Sequence, residues 1–108
     1  MNKPIEITDA NFAKEVIESP IPVLVDVWAD WCMPCRMVAP AVEAIATQYA
    51  GKVKVGKLDA DSNMTPSQLG IRGIPTLLLF RGGKVVDRIV GAVPQQEIAR
   101  HIDQALMN

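Results

Sequence analysis

The chain has 108 residues, 49% of them hydrophobic, so it can close a core of its own and is expected to form a single domain over 1–108. Lysine and arginine total 11 against 12 acids, a formal net charge of -1, which leaves no broad field to attract nucleic acid or anionic lipid. Neither nucleic acid nor membrane is therefore expected as a partner, and recognition must rest on local surface.

Met1 to Asp9 carries one lysine and lacks the apolar stretch and small-residue cleavage site of an export signal. Within it Ile5 and Ile7 alternate with polar neighbours and predict a short strand. Thr8 or Asp9 then caps a short helix that turns Phe12, Val16 and Ile17 inward. The longest apolar run, from Ile21 to Trp31, holds two acids and a proline and falls short of the ~20 residues a membrane-spanning helix needs. Inside that run, Val23 to Ala29 has the near-continuous apolar pattern of a strand covered on both faces, hence of a parallel sheet between helices.

From Met33 to Tyr49 the residues Met37, Val38, Ala41, Val42, Ile45 and Tyr49 recur at helical spacing, and Gly51 marks the stop. Pro40 lies inside this helix and crowds the carbonyl of Arg36, which predicts a bend. Lys52 to Asp59 reads as a strand, Ser62 or Asn63 as the cap of a short helix through Leu69, and Gly70 to Gly73 as a turn. Thr76 to Phe80 and Val85 to Val90 predict an antiparallel hairpin around the loop Arg81 to Lys84. A last helix, Gln95 to Met107, turns Ile98, Ile102, Ala105 and Leu106 inward. The order implies an α/β fold: a three-layer α/β/α sandwich with a mixed sheet, parallel strands plus a C-terminal antiparallel hairpin.

The two cysteines, Cys32 and Cys35, close almost no loop and would staple little, so reactivity explains them better than stability. They stand where the buried strand runs into the long helix. As the cap residue, Cys32 would meet unpaired amides and the positive end of the helix dipole, which stabilise a thiolate. Cys35 in the first turn lies roughly 5 Å away between Cα atoms, within disulfide range. A regular helix leaves the Cβ atoms about 5–6 Å apart where a disulfide wants about 3.5–4.5 Å, so closure needs local distortion and the bond should be easily reduced. The chemistry follows. An exposed Cys32 thiolate attacks a substrate disulfide, and Cys35 then displaces the reduced substrate from the mixed disulfide.

A zinc site lacks a second cysteine pair, and His101 is remote on the polar side of the last helix, where it reads as a solvated surface residue; no metal is expected. Asp26 interrupts an apolar strand, loses hydration there, and should have a raised pKa. That makes it a candidate proton acceptor, with a merely tolerated buried ion pair as the alternative. Pro34 suits a first helical turn and limits the motion of the dithiol loop. Trp28 reads as a core aromatic at least as readily as a substrate contact, and Gly91 allows close approach of another backbone.

Trp-Cys-Met-Pro-Cys-Arg after Val-Asp-Val-Trp-Ala resembles the active-site signature of thioredoxins, and Gly-Ile-Arg-Gly-Ile-Pro-Thr at 70–76 resembles their second characteristic segment. The likeness covers essentially the whole chain. It implies the thioredoxin fold and a cytoplasmic, monomeric protein-disulfide reductase. Such a protein holds no bound cofactor besides its redox-active Cys32–Cys35 disulfide. It draws electrons from NADPH through a flavin-dependent thioredoxin reductase and passes them to disulfide-containing proteins.

The resemblance further implies that Asp26 lies beneath the dithiol and deprotonates Cys35, with Lys57 as its partner. It implies a cis bond between Ile74 and Pro75, which sets the Ile74 backbone opposite Cys32 for a substrate chain to join as an added strand. Trp31, Gly73, Ile74, Pro75, Gly91 and Ala92 would line an apolar groove, with Trp28 packed behind. The family usually has glycine where this chain has Met33, a flexible apolar residue and better helix former that either tunes redox poise and partner choice or is neutral. The Met64 to Leu69 segment is one residue shorter than in familiar thioredoxins. Related oxidases and isomerases usually carry histidine or tyrosine between the cysteines, so Met-Pro favours a reductase; a redox-gated binding module is the reading from another class.

Overall fold

Val-, Ile- and Leu-rich strands alternate with helical segments throughout the computed structural model, which describes residues 3–107. Met1, Asn2 and Asn108, included in the expectations for the opening segment and for a domain over 1–108, lie outside the described residues. The strands are β1 (Ile5–Ile7), β2 (Val23–Trp28), β3 (Lys54–Asp59), β4 (Thr76–Arg81) and β5 (Lys84–Val90). The helices are α1 (Met33–Gln48), α2 (Thr65–Gln68) and α3 (Gln95–Leu106), with a π-helical segment at Ala13–Ile17.

The sheet order is β1-β3-β2-β4-β5, parallel from β1 through β3 to β2 and antiparallel from β2 through β4 to β5. On one face Leu24, Val55, Leu77 and Leu79 pack against Val38, Val42 and Ile45 of α1 and Ile98 and Ile102 of α3. On the other, Ile7, Val25, Val27 and Leu78 meet Val16, and Phe12 packs edge-on against Phe80 at 5.7 Å. Each fully buried Ile or Leu contributes about 1.5–3 kcal/mol of apolar transfer. The three layers and the mixed sheet are those expected, and β2 lies at the middle of the sheet with both faces covered.

Several local expectations are corrected. Ile17 is 41% exposed, because the segment is wound with an i→i+5 bond from the Glu18 amide to the Ala13 carbonyl and does not follow a 3.6-residue period. Met37 is exposed as well: Cys35, Val38, Val42 and Ile45 define the inner face of α1, and Met37 lies about 100° round the helix from Val38. As expected, Pro40 lies inside α1, which continues past it to Gln48 with Tyr49 as its cap and Gly51 beyond in the left-handed region at φ 83°.

Neither Ser62 nor Asn63 caps α2. That cap arrives from the turn after β1, where the Asp9 carboxylate accepts from the amides of Met64 and Thr65 (2.9 Å each) and the Thr65 hydroxyl (2.6 Å). Asp9 therefore does not cap the first helical segment. The hairpin loop is shorter than expected, since Gly82 and Gly83 both adopt positive φ (61° and 79°) and form a two-residue turn that lets Arg81 pair with Lys84. His101 is not simply solvated: half-buried, it sits 2.6 Å from the Asp87 carboxylate.

Candidate active site

The chain leaves β2 at Trp28 and enters α1 at Met33, and the dithiol lies in this junction. Cys32 is the cap of α1, extended at φ -89° and ψ 106°, and its sulfur accepts the Cys35 amide at 3.2 Å. Pro34 occupies the first turn, where no helical bond is lost. Cys32 and Cys35 are joined as a disulfide with Cα atoms 5.3 Å apart, the separation a cap and first-turn pair should have.

One expectation fails here: Cys32 is not exposed. It retains 3% of its surface, as does Cys35, because the pair packs against Ala29, Trp28 and Ile74. Exposure in this disulfide state therefore does not separate nucleophile from resolver. Their surroundings differ: Cys32 lies between Trp31 and Met33, exposed by 70% and 63%, whereas Cys35 lies on the inner face of α1.

Asp26 is fully buried in β2, and neither carboxylate oxygen has a hydrogen-bond partner. Burial pushes its pKa up from 3.8 to about 6, the positive charge of Lys57 pulling weakly the other way. Lys57 faces Asp26 in register across β2 and β3, yet its ammonium lies over the Trp28 ring, 4.8 Å from the centroid. The two are thus register neighbours and not the hydrogen-bonded ion pair weighed as the alternative. Trp28 sits with Lys57 in a 270 Å³ cavity near β1, behind the dithiol and away from the groove in front of it.

That groove, about 430 Å³, runs between Trp31, Gly73 and Ile74, with Ala60, Pro66 and Ile71 as its floor and far wall. The Trp31 indole donates to the Asp61 carboxylate at 3.0 Å, which fixes the ring at the rim. The Ile74–Pro75 bond is cis, Pro75 is buried, and Ile74 packs on the dithiol cluster. Gly91, at φ 94°, donates its amide to the Pro75 carbonyl at 2.9 Å, and exposed Ala92 follows. Trp31, Gly73 and Ile74 thus line the groove, Ile74 and Trp28 pack on the dithiol, Gly91 is tied to Pro75, and Lys57 lies over Trp28.

Sequence reasoning missed Asp61, Ala60, Pro66 and Ile71. The available signal was the place of Ala60 and Asp61 just past the carboxyl end of parallel β3, where α/β folds gather ligand contacts; Pro66 in α2 and Ile71 beyond it gave none. Among the described residues no cluster of three or more histidine, cysteine or acidic side chains could hold a metal, and no helix is long and apolar enough to cross a membrane.

Comparison with known proteins adds an independent line. A family model described as Thioredoxin matches residues 3–104. The chain is 51% identical over 107 residues to Thioredoxin 1 of Nostoc sp. (strain PCC 7120 / SAG 25.82 / UTEX 2576), covering 98% of this chain and 100% of that one. It is 55% identical over 102 residues to a thioredoxin of Synechocystis sp. (strain ATCC 27184 / PCC 6803 / Kazusa), covering 94% and 95%. With a thioredoxin of Haemophilus influenzae (strain ATCC 51907 / DSM 11121 / KW20 / Rd) it shares 48% over 105 residues, covering 96% and 98%.

Proposed function

The chain belongs to the thioredoxin family, and from that premise we propose a division of labour within its site: Cys32 as nucleophile, Cys35 as resolving thiol and Asp26 as proton acceptor. The protein is a thiol-disulfide oxidoreductase that carries out reversible dithiol-disulfide exchange through Cys32 and Cys35. The observation that carries the division is the cap, in which the Cys32 sulfur accepts the Cys35 amide at the opening of α1. A hydrogen bond and a helix dipole aimed at that atom favour the anion once the disulfide is reduced.

In the reducing direction, the Cys32 thiolate attacks one sulfur of a substrate disulfide and expels the other as a thiolate. Cys35 then gives its proton to the Asp26 carboxylate and attacks the Cys32 sulfur. The second substrate sulfur leaves, and two electrons have passed from the dithiol to the substrate. An acceptor titrating at about 6 is ionised at neutral pH and remains basic enough to help. Lys57 tunes that acceptor, Met33 and Pro34 set the redox poise, and Trp31, Gly73, Ile74, Pro75, Gly91 and Ala92 serve substrate binding, with Trp28 packed behind the dithiol instead of touching substrate. Residues 1–108 act as one thioredoxin unit, a cytoplasmic monomer. A thioredoxin reductase recharges it with electrons from NADPH, and disulfide-containing proteins accept them.

Turnover of a protein disulfide, with dithiothreitol or NADPH and thioredoxin reductase as donor, tests the division. Cys35→Ser is expected to accumulate a mixed disulfide and Cys32→Ser to accumulate none. Equal trapping by both variants voids the assignment.

A further inference from the structure

Three charged residues form a row across the sheet. The parallel registers pair Glu6 of β1 with Lys57 of β3, and Lys57 with Asp26 of β2. Residues paired in this way share a face of the sheet, so the row runs from exposed Glu6 through half-buried Lys57 to fully buried Asp26. The 270 Å³ cavity opens over its outer half, with Glu6, Lys57, Trp28 and Asp59 among its walls.

In that cavity the Lys57 ammonium has two destinations. Turned inward, it would bond the Asp26 carboxylate and hold it ionised, since an opposite charge at close range lowers a carboxyl pKa by about 1–3 units. Turned outward, it rests over Trp28 and leaves both Asp26 oxygens unbonded. Asp59 is already engaged, accepting from the Asp61 amide at 2.9 Å and the Ser62 hydroxyl at 3.2 Å. Glu6 is the remaining acid of the cavity wall, one strand spacing out, about 4.8 Å. Among the described residues no other cation meets Asp26 from the elements packed on this face: β4 presents Leu77, α3 presents Ile98 and Ile102, and α1 presents Cys35. The exposed Arg36 of α1 is turned to the Asp30 carbonyl.

The geometry points to Glu6 as a positioning residue for the exchange reaction, its carboxylate at the cavity mouth keeping Lys57 turned outward against Trp28 so that Asp26 stays unpaired and able to exchange a proton. The inference rests on Asp26 being the acceptor proposed above. Glu6 itself touches no reacting atom.

Carbon-13 NMR of the Asp26 carboxyl in the oxidised protein follows its titration without recourse to activity. Glu6→Gln is expected to lower the midpoint by about one pH unit, with Glu6→Asp in between. In a Lys57→Met background the same substitution should lower it by no more than about 0.3 pH unit, the direct effect of a water-screened charge about 10 Å away. An unchanged midpoint in Glu6→Gln, or an equal change in both backgrounds, overturns the assignment. The acceptor reading is judged apart, by the pH-rate profile of Asp26→Asn. A profile matching the wild type removes Asp26 as acceptor, while the NMR titrations still decide the role of Glu6.

Discussion

Asp26→Asn is expected to stabilise the oxidised protein by an amount that depends on pH. The buried carboxyl titrates at about 6 where an ordinary aspartate titrates at 3.8, and the cause is lost hydration. Between those values the native state binds a proton that the unfolded chain has released, so wild-type stability falls as pH rises from 4 through 6. Every pH unit separating the folded and unfolded titrations is worth about 1.4 kcal/mol, so the full penalty, reached above neutrality, is about 3 kcal/mol. At pH 4 only about 0.5 kcal/mol of it has developed. Asparagine has no such titration, and whatever its amide costs in the buried site is the same at both pH values. Urea unfolding of both proteins at pH 4 and pH 8 should therefore show the variant gaining about 2.5 kcal/mol on the wild type between the two. A gain below about 1 kcal/mol would mean that Asp26 is hydrated or paired in solution, and the argument for its raised pKa would fail.

Four further outcomes follow from the packing and the site. Trp31→Ala, which removes an exposed ring held by Asp61 at the groove rim, should change stability by less than about 0.5 kcal/mol yet lower kcat/KM for a protein disulfide at least about fivefold, as loss of an interface anchor does; unchanged kinetics would remove the groove from substrate binding. Met33→Gly, in the first turn of α1, should cost up to about 1 kcal/mol in urea unfolding and shift the thiol-disulfide equilibrium with glutathione; an equilibrium identical to wild type leaves Met33 neutral. Asp9→Asn should lower the melting temperature at pH 7, because the hydrogen bonds that hold the Asp9 pKa below 3.8 also cap α2, and the difference should vanish in acid well below 3.8, where the wild-type carboxylate is protonated too. Ile102→Ala, at a fully buried position between α3 and the sheet, should cost about 2–5 kcal/mol in the same unfolding assay.

What the chain discloses in advance divides by distance along it. Apolar periodicity located every strand and the main helices, because inner-face residues such as Val38, Val42 and Ile45 of α1 recur at the period of the element that carries them. The dithiol was legible for the same reason: Cys32 and Cys35 lie within one strand-to-helix junction, so spacing alone fixes their order and approximate separation. Contacts made by distant residues were not legible. The Asp9 cap on α2 joins positions 55 apart, the Trp31–Asp61 bond spans 30, and the groove needs the loop after β3 to meet the cis-proline loop. The burial of Cys32 was missed on the same ground, since the residues that cover it include Ile74 from another segment.

The two groups that would move charge in this site are both held out of water, and that shared burial explains why they can work together. A thiol flanked by open solvent would lose its proton to water and need no acceptor. Cys35, at 3% exposure, and Asp26, at 0%, are both shut off from solvent, so under the proposed division of labour a carboxylate whose pKa burial has raised would be the useful base. The same desolvation makes the ionised Asp26 a destabilising residue, and a direct bond from Lys57 would remove that cost along with much of its basicity. Lys57 lies over Trp28 instead, which leaves the carboxylate unpaired. On that proposal, stability forgone at Asp26 and reactivity at Cys35 would be two consequences of one unpaired charge in the central strand.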